Sequence, residues 1–193
     1  SAYPHVLFEG CSGGGGRFDP AMLCYSPQIW TSGDTDAMER CRIQYGTSFV
    51  YPPSSISAHV SAVPNHQTGR VTSFETRGNV AMAGAFGYEL DLTKLTAEEK
   101  ELVKKQVAQY HAYAPLVQGG DFYRLLSPFE SENRCAWMSV SPDKSEALVT
   151  FIVPKTRVNF NSYLRLAGLD PKKKYLDESA GRILSGDTLM DAG

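Results

Sequence analysis

The chain has little of what usually marks a function class at first reading. Its 193 residues include 19 basic and 21 acidic side chains, a formal net charge of −2, and neither sign forms a long block. The longest basic run, Lys172-Lys173-Lys174, follows Asp170-Pro171 and reads as a turn rather than a nucleic-acid patch. No apolar run approaches the roughly 18–20 residues of a membrane-spanning helix. Neither a nucleic-acid nor a membrane partner is therefore expected. The four cysteines, Cys11, Cys24, Cys41 and Cys135, form no CxxC pair and have no histidine at a spacing suited to zinc. Reduced thiols in a cytoplasmic protein are the simplest reading, and no metal or organic cofactor is expected. The opening, Ser1-Ala2-Tyr3-Pro4-His5, carries neither an initiator methionine nor a signal-peptide pattern. A strand pattern follows almost at once, as though the chain were cut from something longer.

What is present is alternation. The length suits one domain or two small ones and is enough to bury a core. Residues 5–9 and 28–31 read as short strands, the first closed by Gly13-Gly14-Gly15-Gly16. Asp36-Ala37-Met38-Glu39 matches a capping box and predicts a helix to about Tyr45, stopped by Gly46. Residues 56–63 alternate before the loop Pro64-Asn65-His66-Gln67-Thr68-Gly69, and residues 80–90 read as a glycine-rich strand against which other backbone packs closely. Thr96-Ala97-Glu98-Glu99 opens the best helix, to about Tyr113, with Leu102, Val103, Val107 and Tyr110 on one face and Glu101 paired with Lys105 on the other.

Beyond Pro115 the pattern changes to short strands at 123–126, 135–140, 147–153, 163–166 and 182–184. Turns such as Gly168-Leu169-Asp170-Pro171 and Ser185-Gly186-Asp187 separate them, which reads as an antiparallel sandwich. The expected fold class is α/β and then all-β, with domains at residues 1–118 and 119–193. The alternating part implies a parallel sheet with right-handed crossovers. Its four strand–helix units are half of what a closed (β/α)8 barrel needs.

Two strand ends carry the candidate chemistry. Phe8-Glu9-Gly10-Cys11 runs into the glycines, and Ile29-Trp30 runs into Thr31-Ser32-Gly33-Asp34-Thr35-Asp36. Together they suit a pocket for a polar ligand: backbone that allows close approach, one aromatic platform and carboxylates. The glycine run also reads as a flexible loop, and as a phosphate cradle only weakly, since it lacks the Lys-Ser/Thr of a P-loop. Asp36 reads as a helix N-cap, worth about 1 kcal/mol. Glu9 and Glu89 read as supporting acceptors, Cys24 and Cys135 as apolar filler, and Arg17-Phe18-Asp19 as a brace for the loop after the glycines.

Residues 8–20 and 27–36, Ile43-Gln44-Tyr45-Gly46-Thr47-Ser48, the stretch 58–68 and Gly87-Tyr88-Glu89-Leu90-Asp91 resemble α-galactosidases of glycoside hydrolase family 36. Asp121-Phe122-Tyr123-Arg124-Leu125, Gly168-Leu169-Asp170-Pro171 and Gly186-Asp187 continue the resemblance through the β part, so it spans almost the whole chain. It implies the second half of a (β/α)8 TIM barrel followed by a small antiparallel β-sandwich. The family is retaining, and its reaction needs two carboxylates roughly 5–5.5 Å apart. Its nucleophile lies in a Lys-Trp-Asp segment that this chain does not contain.

The family's acid/base is the first Asp of Thr-Ser-Asp-Asp/Asn-Thr-Asp, and that position here is Gly33. Loss of general acid catalysis typically costs about 10²–10⁴-fold. Asp34, one residue on, is a candidate substitute that points elsewhere on an extended backbone. Cys11, Gly13 and Gly14 map to the innermost galactose subsite. Trp30 reads either as a stacking platform for a sugar or as a core aromatic. His59 and His66 read as ligands of sugar hydroxyls or as structural hydrogen-bonding groups.

The resemblance implies hydrolysis of terminal α-1,6-linked galactose from melibiose or raffinose-type oligosaccharides. The expected partners are that oligosaccharide, the remaining N-terminal half of the enzyme, and further copies, since the family is often tetrameric. By itself the chain is expected to be inactive. The alternative is a catalytically inactive galactoside-binding or assembly module.

Overall fold

Four short strands share one parallel sheet because each is followed by chain that returns to the same end. β1 (Glu9–Gly10), β2 (Gln28–Trp30), β3 (Ile56–Ser61) and β4 (Ala85–Glu89) lie side by side in sequence order. The structure, a computed structural model, describes residues 2–11, 13, 18–131, 134–153 and 163–193. It divides into two compact units, Ser1–Gln118 and Gly119–Gly193.

In the first unit a 3-10 turn (Pro20–Cys24) joins β1 to β2, with Asp19 accepting from the Ala21 and Met22 amides at 2.8 and 3.2 Å. α1 (Ala37–Thr47) joins β2 to β3, α2 (Phe74–Ala81) joins β3 to β4, and α3 (Ala97–Gly119) follows β4. β3 carries two chemistries on alternate residues. Ile56, Ala58 and Val60 are buried, and Ala58 and Val60 pack with Phe74 and Ala81 of α2 and Leu102 and Val103 of α3. Ser57, His59 and Ser61 occupy the other face, with the period of two that a strand imposes. Gly84 precedes β4 at a point of close approach: a Cβ there would lie 2.5 Å from the Ile56 carbonyl oxygen.

Local signals and packing disagree in places. Gly46 does not end α1, which continues to Thr47. The roughly 1 kcal/mol helix penalty of glycine is outweighed because neighbouring Gln44 and Tyr45 are buried. Likewise α3 runs past Tyr113 to Gly119 with Pro115 inside it, its last turn held by buried Leu116 and Val117. The expected partner of Glu101 is Lys104 at 2.6 Å, not Lys105. Residues 80–90 are not one strand, since Val80 and Ala81 complete α2. The Thr96 box forms as written, the Thr96 amide donating to Glu99 Oε2 at 3.0 Å and the Glu99 amide to Thr96 Oγ1 at 3.2 Å.

The second unit places β5 (Asp121–Leu126), β6 (Cys135–Val140) and β7 (Ala147–Ile152) in one antiparallel sheet and β8 (Lys174–Asp177) with β9 (Arg182–Ser185) in a hairpin. Met138, Val140 and Leu169 form its core, with Tyr123, Leu166, Tyr175 and Leu189 packed around them. Residues 163–166 form no strand; the Leu166 amide donates to the Leu189 carbonyl at 2.9 Å instead. Lys174 belongs to β8 rather than to the turn, and Gly186 opens a short helix, α4 (Gly186–Asp191).

Candidate active site

In a parallel sheet every strand leaves from the same end, so the loops after β1, β2 and β3 are neighbours. The loop after β2 carries Thr31 to Asp36 and closes on α1. Asp36 caps the helix, its Oδ1 accepting from the Met38 and Glu39 amides at 2.9 and 3.1 Å. Glu39 does not close the expected box. Asp34 Oδ1 takes the Asp36 amide at 3.0 Å instead, so the Asp34 carboxylate is engaged in the turn.

The loop after β3 grips this segment. Ser61 Oγ donates to the Thr35 carbonyl at 2.8 Å, and buried Asn65 donates through Nδ2 to Thr35 Oγ1 at 3.0 Å. The Gln67 amide group accepts from the Thr35 N–H at 3.0 Å and donates to the Gly33 carbonyl at 2.6 Å. Thr68 Oγ1 donates to Asp36 Oδ2 at 2.8 Å, and Arg70 forms an ion pair with Asp36 Oδ1. Gly33 itself is exposed, is not among the glycines with positive φ, and has nothing within 4 Å of where a Cβ would stand.

Beneath this loop lies a cationic and aromatic layer. Arg40 of α1 is 2% exposed and donates to Thr31 Oγ1 at 2.8 Å and to the Ser57 carbonyl at 3.1 Å. Burial pulls its guanidinium below the usual range, while the Glu89 and Asp34 carboxylates oppose that shift. Trp30 is half-buried, with its ring centroid 4.0 Å from that of His59 and the Arg40 guanidinium carbon 5.6 Å from it. Burial lowers the His59 pKa to about 4; Glu9 opposes this and Arg40 reinforces it. His59 Nδ1 is buried without a hydrogen-bond partner among the described residues. Gly87 on β4 leaves room for the ring, since a Cβ there would stand 3.2 Å from His59 Cδ2. A cavity of about 420 Å³ opens beside it, lined by Glu9, Gln28, His59, Gly87, Tyr110 and Gln118 among others.

Of the sequence-predicted site residues, Trp30, Gly33 and Asp34 sit in or beside this network. Cys11 is an exposed free thiol just past the end of β1, and Gly13 adopts φ 69°. Gly14 and Arg17 lie outside the described residues. Phe18 packs on Tyr51, ring centroids 3.9 Å apart. His66 is exposed, and Cys24 is exposed rather than filling an apolar site. Among the described residues no group of three or more His, Cys, Asp or Glu is placed to hold a metal ion. Arg40 and Gln67 were not singled out from sequence. The one available signal for Arg40 was a charge on the same helix stripe as Ala37, Cys41 and Gln44.

The chain is similar to known proteins over its whole length. Residues 1–120 match the Melibiase family, and residues 134–193 match the Glycosyl hydrolase family 36 C-terminal domain. Alpha-galactosidase AgaA of Geobacillus stearothermophilus is 61% identical over 194 aligned residues, taking in 100% of this chain and 26% of AgaA. The bifunctional alpha-galactosidase/sucrose kinase AgaSK of Mediterraneibacter gnavus is 56% identical, over 100% of this chain and 21% of its own length. A solved structure of an AgaA variant in complex with raffinose superposes with a TM-score of 0.96, covering 100% of this chain and 27% of that one. This chain thus spans only 26% and 21% of the lengths of these two curated relatives. On the match over residues 1–120 and this level of identity, the chain belongs to the α-galactosidases of glycoside hydrolase family 36.

Proposed function

We propose that this chain is the C-terminal part of a retaining α-galactosidase that releases terminal α-1,6-linked galactose from melibiose or raffinose-type oligosaccharides. Its parallel unit is read as the second half of a (β/α)8 barrel and its second unit as the C-terminal β-sandwich domain. The remaining strands and the nucleophile come from sequence outside this chain, by covalent continuity or as a partner chain. We assign Cys11, Gly13 and, by sequence, Gly14 to the galactose subsite, with Trp30 as an aromatic surface for it. The free cysteines fit a cytoplasmic setting.

The observation that carries the reading is position 33. It stands on the loop after β2, held from the neighbouring loop at Gly33 and Thr35. Its backbone suits any residue, and the space where a side chain would project is open. Glycine is not required there by conformation or by crowding. A carboxyl would fit, and without it the leaving oxygen receives no proton. Asp34 is the weaker candidate for that role, since one of its carboxylate oxygens already accepts the Asp36 amide.

The test uses the assembled enzyme, meaning this chain joined to its N-terminal complement, on p-nitrophenyl α-galactoside. With an activated leaving group the galactosyl-enzyme forms without acid assistance, and azide replaces the base-activated water that would release it. Turnover is expected to depend on azide. Gly33→Asp is expected to raise kcat on raffinose by about 10²–10⁴-fold and to remove the need for azide. Normal turnover on raffinose with Gly33 in place would refute the assignment. Retained galactoside binding with neither azide rescue nor gain from Gly33→Asp would identify a binding or assembly module instead.

A further inference from the structure

Five side chains of one strand end and loop, Ser61, Asn65, Gln67, Thr68 and Arg70, converge on Gly33, Thr35 and Asp36 of the loop before α1. Thr68 and Arg70 serve the helix cap. Ser61 and Asn65 hold Thr35. Gln67 alone among them reaches Gly33, and it does so from both sides of the intervening residue.

Its Oε1 accepts from the Thr35 N–H and its Nε2 donates to the Gly33 carbonyl. These two backbone groups belong to the peptide planes before and after Asp34. One rigid side-chain amide therefore sets both planes. The assignment of oxygen and nitrogen is forced, because an N–H must meet an acceptor and a carbonyl must meet a donor. Gln67 is held in turn, its backbone N–H donating to Asn65 Oδ1 at 2.9 Å, and Asn65 is 4% exposed. Fixing the plane after residue 33 fixes ψ there, and with it how the residue 33 side-chain direction is turned relative to the loop. The Asp34 N–H of the same plane donates to Ser32 Oγ at 3.1 Å, so a local turn and Gln67 hold that plane from opposite sides at a residue type with the widest backbone freedom.

We infer that Gln67 is a positioning residue for the acid/base at position 33: it aims a side chain that this chain does not carry. The inference rests on the reading of position 33 given above. A carboxyl misaimed by about 1 Å loses on the order of 10²-fold in rate, so the clamp should matter to a carboxyl at 33 and not to glycine.

The experiment is a double-mutant cycle in the assembled enzyme. First, Gly33→Asp is compared with the parent on raffinose; no gain would remove the reading of position 33 and this inference with it. Where the gain appears, Gln67→Ala is added to both backgrounds. In the Gly33→Asp background kcat on raffinose is expected to fall about 10–100-fold with KM within about twofold. In the glycine background, azide-dependent turnover of the aryl galactoside is expected to show the smaller loss, and circular dichroism reports a folded enzyme in each background. Gln67→Glu, which keeps the acceptor for Thr35 N–H and loses the donor to the Gly33 carbonyl, is expected to fall between. Equal losses in both backgrounds, or no loss in the Gly33→Asp background, would overturn the inference while leaving position 33 intact. If Gln67→Ala fails to fold, Gln67→Glu decides by the same comparison.

Discussion

At the scale of single residues, the charge states around the candidate site follow from burial more than from sequence neighbours. His59 titrates near 4 in the folded chain against an ordinary 6.5. Between those values the unfolded chain binds the extra proton, so stability rises with pH across the window and is lost as pH falls from about 6.5 towards 4. Glu9 limits the loss and Arg40 deepens it. Replacing the ring by His59→Gln should flatten this part of the pH dependence, and melting temperatures at pH 4.5 and 7 in the two proteins check it. An unchanged pH dependence would mean that His59 is solvated. Asp36 was legible as a cap, because the capping pattern is local. The roles of Gln67 and Arg40 were not, since each depends on groups 9 to 34 residues away.

At the scale of elements, three helices brace one sheet through buried amides as well as apolar contacts. Gln106 of α3 is 5% exposed, donates to the Phe74 carbonyl at 3.0 Å and accepts from the Tyr88 hydroxyl at 2.9 Å. It thereby joins α3 to α2 and β4. Burial pushes the Tyr88 phenol up to about 12, so that donor stays protonated at every ordinary pH. Gln106→Ala removes both bonds and leaves the Tyr88 hydroxyl with the Val103 carbonyl at 3.4 Å, and an unsatisfied buried group costs about 1–3 kcal/mol. Denaturant titration of the assembled enzyme should show at least that loss, and a change below about 0.5 kcal/mol would mean that water replaces the amide. Gln44 makes the corresponding link from α1 to the Val80 carbonyl at 2.9 Å. The capping pattern identified α1, and a cap together with an apolar stripe identified α3. These signals missed α2, whose eight residues carry no full box and a weak stripe.

At the scale of the whole molecule, the parallel sheet has two outer strands, β1 and β4, each paired on one side only among the described residues. Val6, Leu7 and Phe8, just ahead of β1, are 50%, 80% and 60% exposed. The sheet face away from α2 is not bare apolar surface. It carries Ser57, His59 and Ser61 of β3. Open edges and exposed apolar residues remain, and both favour association with further strands. Expressed without its N-terminal complement, the chain should elute as a larger species in gel filtration and lack a single cooperative melt. A soluble monomer melting cooperatively would overturn that expectation.

The sequence by itself determined the two helices that open on capping patterns, the change of character near residue 120, the family, and the glycine at position 33. All of these are written in local spacing and in runs of adjacent residues. Only the tertiary structure decided that Gly46 and Pro115 stay inside helices, that Asp34 is tied into a turn, and that Gln67 and Arg40 meet the candidate site. Those outcomes turn on burial and on hydrogen bonds between residues far apart in the chain, energies that no local pattern records.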